Sequence, residues 1–118
     1  MRDGVEDVLD RFAQLETLPY VSVITVVELY GGVAHDRDPT GPRGRALRRI
    51  IDNSDLLGFG LREAQAYGEI VAELGFARGL IIDRMIAAQA LVAGAALVTL
   101  NARDFRTIAG LQYEDWAA

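Results

Sequence analysis

Short apolar runs of strand length alternate with longer amphipathic segments along this chain, and this alternation restricts the fold more than any other feature. The runs "YVSVI" (residues 20–24), "DLLGFG" (55–60) and "ALVTL" (96–100) have the length of strands, and the first is rich in β-branched residues. Segments with helical spacing of apolar residues separate them. Because strands joined by helices usually pair in parallel, the sequence predicts a three-layer α/β/α fold with a mainly parallel sheet.

The segments between the strands set the expected boundaries of the helices. Helices are predicted over five segments: residues 3–15, 26–33, 45–54, 61–79 and 80–95. Thr25 is the expected N-cap of the second helix, and the turn-forming stretch "AHDRDPTGPRG" (34–44) follows that helix. A last strand, "LQYEDW" (111–116), is expected at the edge of the sheet.

Size and composition exclude several classes of site. The 118 residues, 51% of them hydrophobic, suffice for one core, so residues 1–118 are expected to form a single domain. The chain has no cysteine and one histidine, which excludes disulfides, thiolate chemistry and a multi-histidine zinc site within it. It has neither a signal-like N-terminus nor an apolar stretch of spanning length, so a soluble, cytoplasmic protein is expected.

The charge pattern bears on nucleic-acid binding. All 12 basic residues are arginines, the acids number 17 and the formal net charge is −5, which does not fit a generic binder of polyanions. A nucleic acid could still bind if the acids hold divalent cations and the arginines are grouped. The densest basic set, called here the arginine group, consists of Arg43, Arg45, Arg48 and Arg49. It is either the exposed face of a helix or a contact for a phosphate backbone.

Three acids stand among apolar residues, where a lone carboxylate is costly to desolvate. They are Glu28 in "ITVVELYGG", Asp83 in "GLIIDRMIAAQAL" and Asp104 just after "LVTLN". Such a group is paired, protonated or bound to a cation, and hard cations prefer oxygen ligands. Each acid has a structural alternative: an exposed helix position for Glu28, an N-cap for Asp83, and an ordinary turn for Asn101 with Asp104.

The order of these motifs is more specific than any one of them. A strand is followed by a "TVVEL" helix, then by "IIDRMIAAQAL", "GAALVTLNARDF" and a closing "IAGLQYEDW". This succession resembles the PIN-domain ribonucleases, and among them it is most similar to the VapC-type toxins of bacterial toxin–antitoxin pairs. The resemblance extends from about Val5 to Trp116, and residues 81–105 are its most specific part.

The resemblance implies a metal-dependent endoribonuclease with one or two Mg²⁺ or Mn²⁺ ions as cofactor. Matching the family's motifs residue by residue assigns metal ligation to Glu28, Asp83, Asn101 and Asp104. The three acids among them are the implied catalytic residues, and Thr99 is the implied hydroxyl that supports them. The resemblance also implies a homodimer, an antitoxin as protein partner and a structured RNA such as tRNA as substrate, with the arginine group as its contact.

One family motif has no counterpart in these residues. VapC-type chains open with a hydrophobic strand that ends in "LDT", and the Asp of that motif is a principal metal ligand. This chain opens with "MRDGVEDVLDRF", which matches the helix after that strand, and Asp3 follows no apolar run. The first strand and its Asp are therefore expected to be missing, either because the true start lies upstream or because the chain is a truncated member.

Two other functions stay open at this point. A PIN-like domain with an impaired metal site would be a binding module that engages an antitoxin or associates with itself. A receiver-like signalling domain also collects acids at the ends of strands. The receiver-like domain requires a lysine late in the chain, however, and this chain has no lysine.

Overall fold

The computed structural model describes residues 11, 14, 20–99 and 101–115. The first predicted helix, residues 3–15, lies almost wholly outside these ranges. The start of the chain, where the first family strand is expected to be missing, also lies outside them. Contacts within the chain group its residues into two compact units, residues 1–57 and 58–118, which are described in turn. The prediction of a single domain over residues 1–118 stays a prediction.

In the first unit, two helices connect two strands that pair with each other. The elements in chain order are β1 (Tyr20–Ser22), α1 (Val23–Asp36), α2 (Pro42–Asp52) and β2 (Asp55–Leu57). The two strands are parallel, and Val21 of β1 lies opposite Leu56 of β2. The core is formed by apolar residues of β1 and of both helices: Val21, Val26, Ala46, Leu47 and Ile50. A helical connection between parallel strands is what the alternation of the sequence predicts.

The start of α1 differs from the predicted one. The strand ends at Ser22, whose extended backbone and side chain form the N-cap of the helix. The Ser22 hydroxyl accepts a hydrogen bond from the backbone N–H of Ile24 at 3.0 Å. The prediction of Thr25 as the N-cap is therefore wrong, because a serine three residues earlier already satisfies an amide of the first turn. The helix also continues through Gly31 and Gly32 to Asp36, beyond the predicted end.

A short loop leads from α1 into α2. Both the hydroxyl and the backbone N–H of Thr40 donate hydrogen bonds to Asp38 Oδ1, at 2.7 and 3.0 Å. These bonds hold the pKa of the exposed Asp38 carboxyl below its usual value, and the bond from the hydroxyl has the larger effect. Helix α2 begins at Pro42, three residues before the predicted start, because the fixed φ of proline suits the first turn of a helix.

The second unit contains two longer helices and two strands. In chain order these are α3 (Leu61–Leu74), α4 (Ile81–Ala93), β3 (Leu97–Thr99) and β4 (Tyr113–Asp115). One 3₁₀ turn, Arg78–Leu80, leads into α4, and another, Ala102–Asp104, follows β3. Strands β3 and β4 are parallel, with Val98 opposite Glu114.

Helix α4 is the buried element of the second unit. Its residues Ala87 and Ala88 are fully buried and belong to a core with Ile70 of α3 and with Phe105 and Ile108 from the segment after β3. The small alanine side chains allow neighbouring elements to approach the helix closely. The segment predicted as a helix over residues 80–95 thus supplies a large part of the core of this unit.

The architecture agrees with the predicted class. The four described strands form two parallel pairs, and helices follow β1 and β2 in the chain, as the sequence predicts for an α/β fold, whereas the element described between β3 and β4 is a 3₁₀ turn. The observed ends of the helices differ from the predicted ends by a few residues. Within the described ranges, no helix has the length and apolar character needed to cross a bilayer.

Candidate metal centre

The end of β3 gathers three of the predicted site residues. The chain leaves the strand at Thr99, and the Thr99 hydroxyl accepts a hydrogen bond from the backbone N–H of Asn101 at 2.9 Å. The Asn101 side-chain amide donates to Asp104 Oδ2 at 2.6 Å. Thr99, Asn101 and Asp104 therefore form one hydrogen-bonded group at the carboxyl end of a parallel strand, where sites form in α/β sheets.

Local structure explains why this group holds its shape. Asp104 closes the 3₁₀ turn after β3, and its backbone N–H donates to the carbonyl of Asn101 at 3.2 Å. The next residue, Phe105, is buried in the core of the unit, so it anchors the turn from below. Asn101 is exposed and Asp104 is half-buried. The side-chain oxygens of both residues are thus carried on a fixed turn at the surface.

The chemistry of this group suits a hard cation. With its nitrogen bonded to Asp104, the Asn101 amide keeps its carbonyl oxygen as an acceptor, and Asp104 keeps a second carboxylate oxygen. Amide and carboxylate oxygens are the ligands that Mg²⁺ and Ca²⁺ take in proteins. Asn101 and Asp104 thus lie in an ordinary turn, the structural alternative stated above, and this turn also offers oxygen ligands.

Asp83 lies inside the first turn of α4, not at its cap. The helix begins at Ile81, and its N-cap, Leu80, makes no side-chain cap bond. The alternative of Asp83 as an N-cap is therefore wrong. A half-buried carboxylate in the first turn is stabilised by the partial positive charge of the helix start.

Glu28 stands in the middle of α1, in the first unit, where its side chain is exposed. The exposed helix position that the periodicity allowed is the one observed. Among the residues with described positions, no three acidic or histidine side chains are close enough to hold one metal ion. The structure thus brings Asn101 and Asp104 together, and it places Asp83 on α4 and Glu28 on α1.

The arginine group lies on α2 and is exposed throughout. The buried side of this helix consists of Ala46, Leu47 and Ile50, so the arginines occupy its remaining surface. Arg43 forms an ion pair with Asp36, with 3.5 Å between Nη1 and Oδ1. Arg45 donates from Nη1 to the carbonyl of Thr40 at 2.7 Å. These contacts join the arginine group to the end of α1 and to the loop that follows it.

Two polar residues of α4 are buried, and the sequence analysis did not identify them. Arg84 is 6% exposed and donates from Nη1 to the carbonyl of Gly75 at 2.6 Å. Gln89 is 2% exposed and donates from Nε2 to the carbonyl of Gly58 at 3.0 Å. Both stand in the same apolar segment as Asp83. The same signal, a polar residue among apolar neighbours, therefore points to all three.

Comparison with known proteins defines the class. The sequence profile of the PIN domain matches residues 1–111, which is nearly the whole chain. The chain therefore belongs to the PIN-domain family, as the order of its motifs predicted.

The sequence relatives place it more closely, among the VapC proteins. It is 31% identical to the tRNA(fMet)-specific endonuclease VapC of Shigella flexneri over 113 residues, which cover 93% of this chain and 84% of the relative. It is 34% identical to the ribonuclease VapC2 of Haemophilus influenzae over 114 residues, with the same two coverages of 93% and 84%.

Solved structures agree with the sequence relatives. VapBC2 from Rickettsia felis, bound to a DNA fragment from the promoter, matches with a TM-score of 0.71 and 25% identity, covering 98% of this chain and 86% of that one. VapBC-1 from nontypeable Haemophilus influenzae matches with a TM-score of 0.73 and 27% identity, covering 94% and 85%. The predicted PIN-like fold is therefore confirmed.

Proposed function

We propose that this chain is a metal-dependent endoribonuclease and the toxin of a VapBC-type toxin–antitoxin pair. The relatives named ribonuclease or endonuclease VapC support the reaction class, which is hydrolysis of RNA phosphodiester bonds. The observation that carries the proposal at the level of the site is the Asn101–Asp104 pair at the end of β3. This pair offers oxygen atoms that can coordinate a metal, and it lies at the carboxyl end of a strand, where α/β proteins form their binding sites.

The cofactor that suits these residues is Mg²⁺ or Mn²⁺. The proposed ligands are Glu28, Asp83, Asn101 and Asp104, all of which offer oxygen and none of which offers sulfur or an imidazole. When bound, such an ion lowers the pKa of a water molecule and stabilises negative charge on the leaving oxygen.

The protein's own groups have distinct tasks in this proposal. The Asn101 amide orients the Asp104 carboxylate, and the Thr99 hydroxyl fixes the backbone that carries Asn101. Asp83 lies in the first turn of α4, where the partial positive charge of the helix start stabilises a carboxylate. Preorganisation of this kind reduces the cost of gathering several carboxylates around one cation.

The substrate and partners are proposed from the relatives. Two of them, from Shigella flexneri and Salmonella typhimurium, are named as tRNA(fMet)-specific endonucleases, so a structured RNA such as tRNA is the proposed substrate class. The solved neighbours are VapBC assemblies, so an antitoxin is the proposed partner of a homodimer in the cytoplasm. The exposed arginine group is proposed to contact the phosphate backbone of the RNA.

A cleavage assay tests this function. Purified protein is incubated with total tRNA and Mg²⁺, and then with an excess of chelator. The parent chain should cut RNA only with the metal, and Asp83→Asn should lower the rate by about 100-fold or more, because each lost ligand weakens both binding and alignment of the ion. Asp52→Asn is the matched control, since Asp52 is an exposed aspartate at the end of α2.

The results separate the open alternatives. Cleavage that persists in chelator and in Asp83→Asn would contradict a metal-dependent reaction. A chain that binds an antitoxin tightly but neither binds Mn²⁺ nor cuts RNA would be the binding module instead.

A further inference from the structure

One member of the arginine group lies directly against α1. A Cβ atom added to Gly32 would lie 3.3 Å from Arg43 Nη1 and 3.5 Å from Arg43 Cδ. The same guanidinium nitrogen is 3.5 Å from Asp36 Oδ1. The Arg43 side chain therefore reaches from α2 to α1 and lies over Gly32, which has no side chain.

This position shares a face of α1 with a proposed metal ligand. Glu28, Gly32 and Asp36 follow one another at intervals of four residues in a continuous helix. Residues four apart in a helix are neighbours on one face, with Cβ atoms roughly 5–6 Å apart. Arg43 thus lies over Gly32 and beside Asp36, one helical turn from Glu28.

The identity of Gly32 needs an explanation other than backbone conformation. Glycine inside a helix is less favourable than alanine. Among the described residues, the glycines with positive φ are Gly75, Gly94 and Gly110, so Gly32 has an ordinary helical backbone. The contact with Arg43 gives a reason for glycine there, whereas a Cβ added to the neighbouring Gly31 would meet no atom within 4 Å in the described part of the chain.

We propose that Arg43 contacts an RNA phosphate beside Glu28, and that Gly32 and Asp36 are positioning residues that hold the Arg43 guanidinium in that place. This inference rests on the proposed nuclease function and assigns one arginine of the group a specific task. A guanidinium has five N–H donors and binds phosphate in a planar, two-pronged geometry. A single ion pair of 3.5 Å leaves most of these donors available, and the Arg43 side chain is 57% exposed.

Exposure also argues against a purely structural role. A side chain whose task is to join two helices is expected to be buried in the contact, and Arg43 is not. Ion pairs between exposed side chains contribute little to stability. The arrangement instead fixes the position of a positive charge while keeping it accessible to a ligand.

The test measures binding of a labelled single-stranded RNA as a function of salt. All proteins carry Asp83→Asn, so that the RNA stays intact. Arg43→Ala should weaken binding about threefold to tenfold and reduce the slope of log affinity against log salt by about 0.7, the contribution of one phosphate contact in a single strand. Arg43→Lys should restore the salt slope but only part of the affinity, since an ammonium is a point charge.

The two glycines provide a matched pair. Gly32→Ala should weaken RNA binding about twofold, since its methyl group would crowd the Arg43 guanidinium at 3.3 Å and shift it by a few tenths of an ångström, while Gly31→Ala leaves binding unchanged. Both substitutions should preserve or raise the melting temperature, because alanine favours helix. Gly32→Ala should have no further effect when Arg43 is already alanine, and this non-additivity would identify the contact between them.

Several results would overturn the assignment. Arg43→Ala with the affinity and salt slope of the parent would do so, as would equal effects of Gly31→Ala and Gly32→Ala. The nuclease function is judged separately, by cleavage with the unsubstituted Asp83. Normal cleavage with binding independent of Arg43 overturns only the role of Arg43, whereas Arg43-dependent binding without any cleavage overturns only the proposed nuclease.

Discussion

At the scale of single residues, side-chain hydrogen bonds to nearby backbone decide where elements begin and how the site is held. The hydroxyl of Ser22, the last residue of β1, caps the start of α1 by accepting a hydrogen bond from the backbone N–H of Ile24. The hydroxyl of Thr99 similarly fixes the backbone of Asn101 after β3. Short polar side chains compete with regular secondary structure in this way, and they favour caps and turns.

The cap of α1 gives the first prediction at this scale. Ser22→Ala should lower the free energy of unfolding by about 1 kcal/mol, because an amide of the first turn loses its acceptor. Thr25→Ala is the control, since Thr25 lies inside the helix and is not its cap. Urea denaturation followed by circular dichroism measures both changes. Equal losses for the two variants would show that Ser22 has no special role.

The Asn101–Asp104 pair gives a second prediction, whose sign depends on metal. Asn101→Asp replaces the amide donor with a carboxylate 2.6 Å from Asp104, so without metal it should destabilise the protein by about 1 kcal/mol through repulsion. With Mg²⁺ or Mn²⁺ present, the added charge should raise metal affinity and reverse the loss. Thermal melting with and without Mg²⁺ measures both effects.

Asn53→Asp also removes an amide donor, from the bond to the Arg49 carbonyl at 2.8 Å, but far from the proposed ligands in sequence. Its effect on the melting temperature should be the same in both solutions. If Asn101→Asp behaves like Asn53→Asp, the pair at the end of β3 does not bind metal.

At the scale of elements, a buried charge links the two helices of the second unit. Arg84 follows Asp83 directly, and its guanidinium bonds to the carbonyl of Gly75, just beyond the end of α3. Gly75 has a φ of 85°, so the chain turns sharply there and leaves carbonyl groups without helical partners. The bond from Arg84 satisfies one of them and holds the first turn of α4 in place.

This link predicts a loss of both stability and activity on substitution. Arg84→Met keeps the apolar volume but leaves the Gly75 carbonyl without its donor, which should cost about 1–3 kcal/mol in the free energy of unfolding. Cleavage of RNA should fall even at temperatures where the variant is folded, because Asp83 is carried on the same turn. Arg78→Met, at an exposed arginine of the preceding 3₁₀ turn, should change neither quantity by much.

At the scale of the whole molecule, the alternation of strands and helices predicted the class of fold. Apolar runs such as "ALVTL" become parallel strands, and the apolar segment that contains Asp83 becomes the buried helix α4. These features depend on periodicity, which is a property of the sequence alone. The order of motifs added the family, which no single residue could have identified.

Other features depend on tertiary contacts and could not be predicted. Ser22 and Thr25 are both good caps in sequence, and only the end of β1 decides between them. The reach of Arg43 over Gly32 requires two helices to pack side by side. The proximity of Asn101 and Asp104, three residues apart, was by contrast accessible, because a turn after a strand brings such residues together.

The central claim is that the protein binds a divalent cation and uses it to cut RNA. The proposed ligands are Glu28, Asp83, Asn101 and Asp104. Titration with Mn²⁺, followed by electron paramagnetic resonance, measures free and bound ion directly. We expect saturable binding to the parent chain and to Asp52→Asn, and strongly weakened binding to Asp104→Asn and Asp83→Asn, because each loses a charged ligand. Binding that is absent from the parent chain, or equal in all four proteins, would contradict the claim.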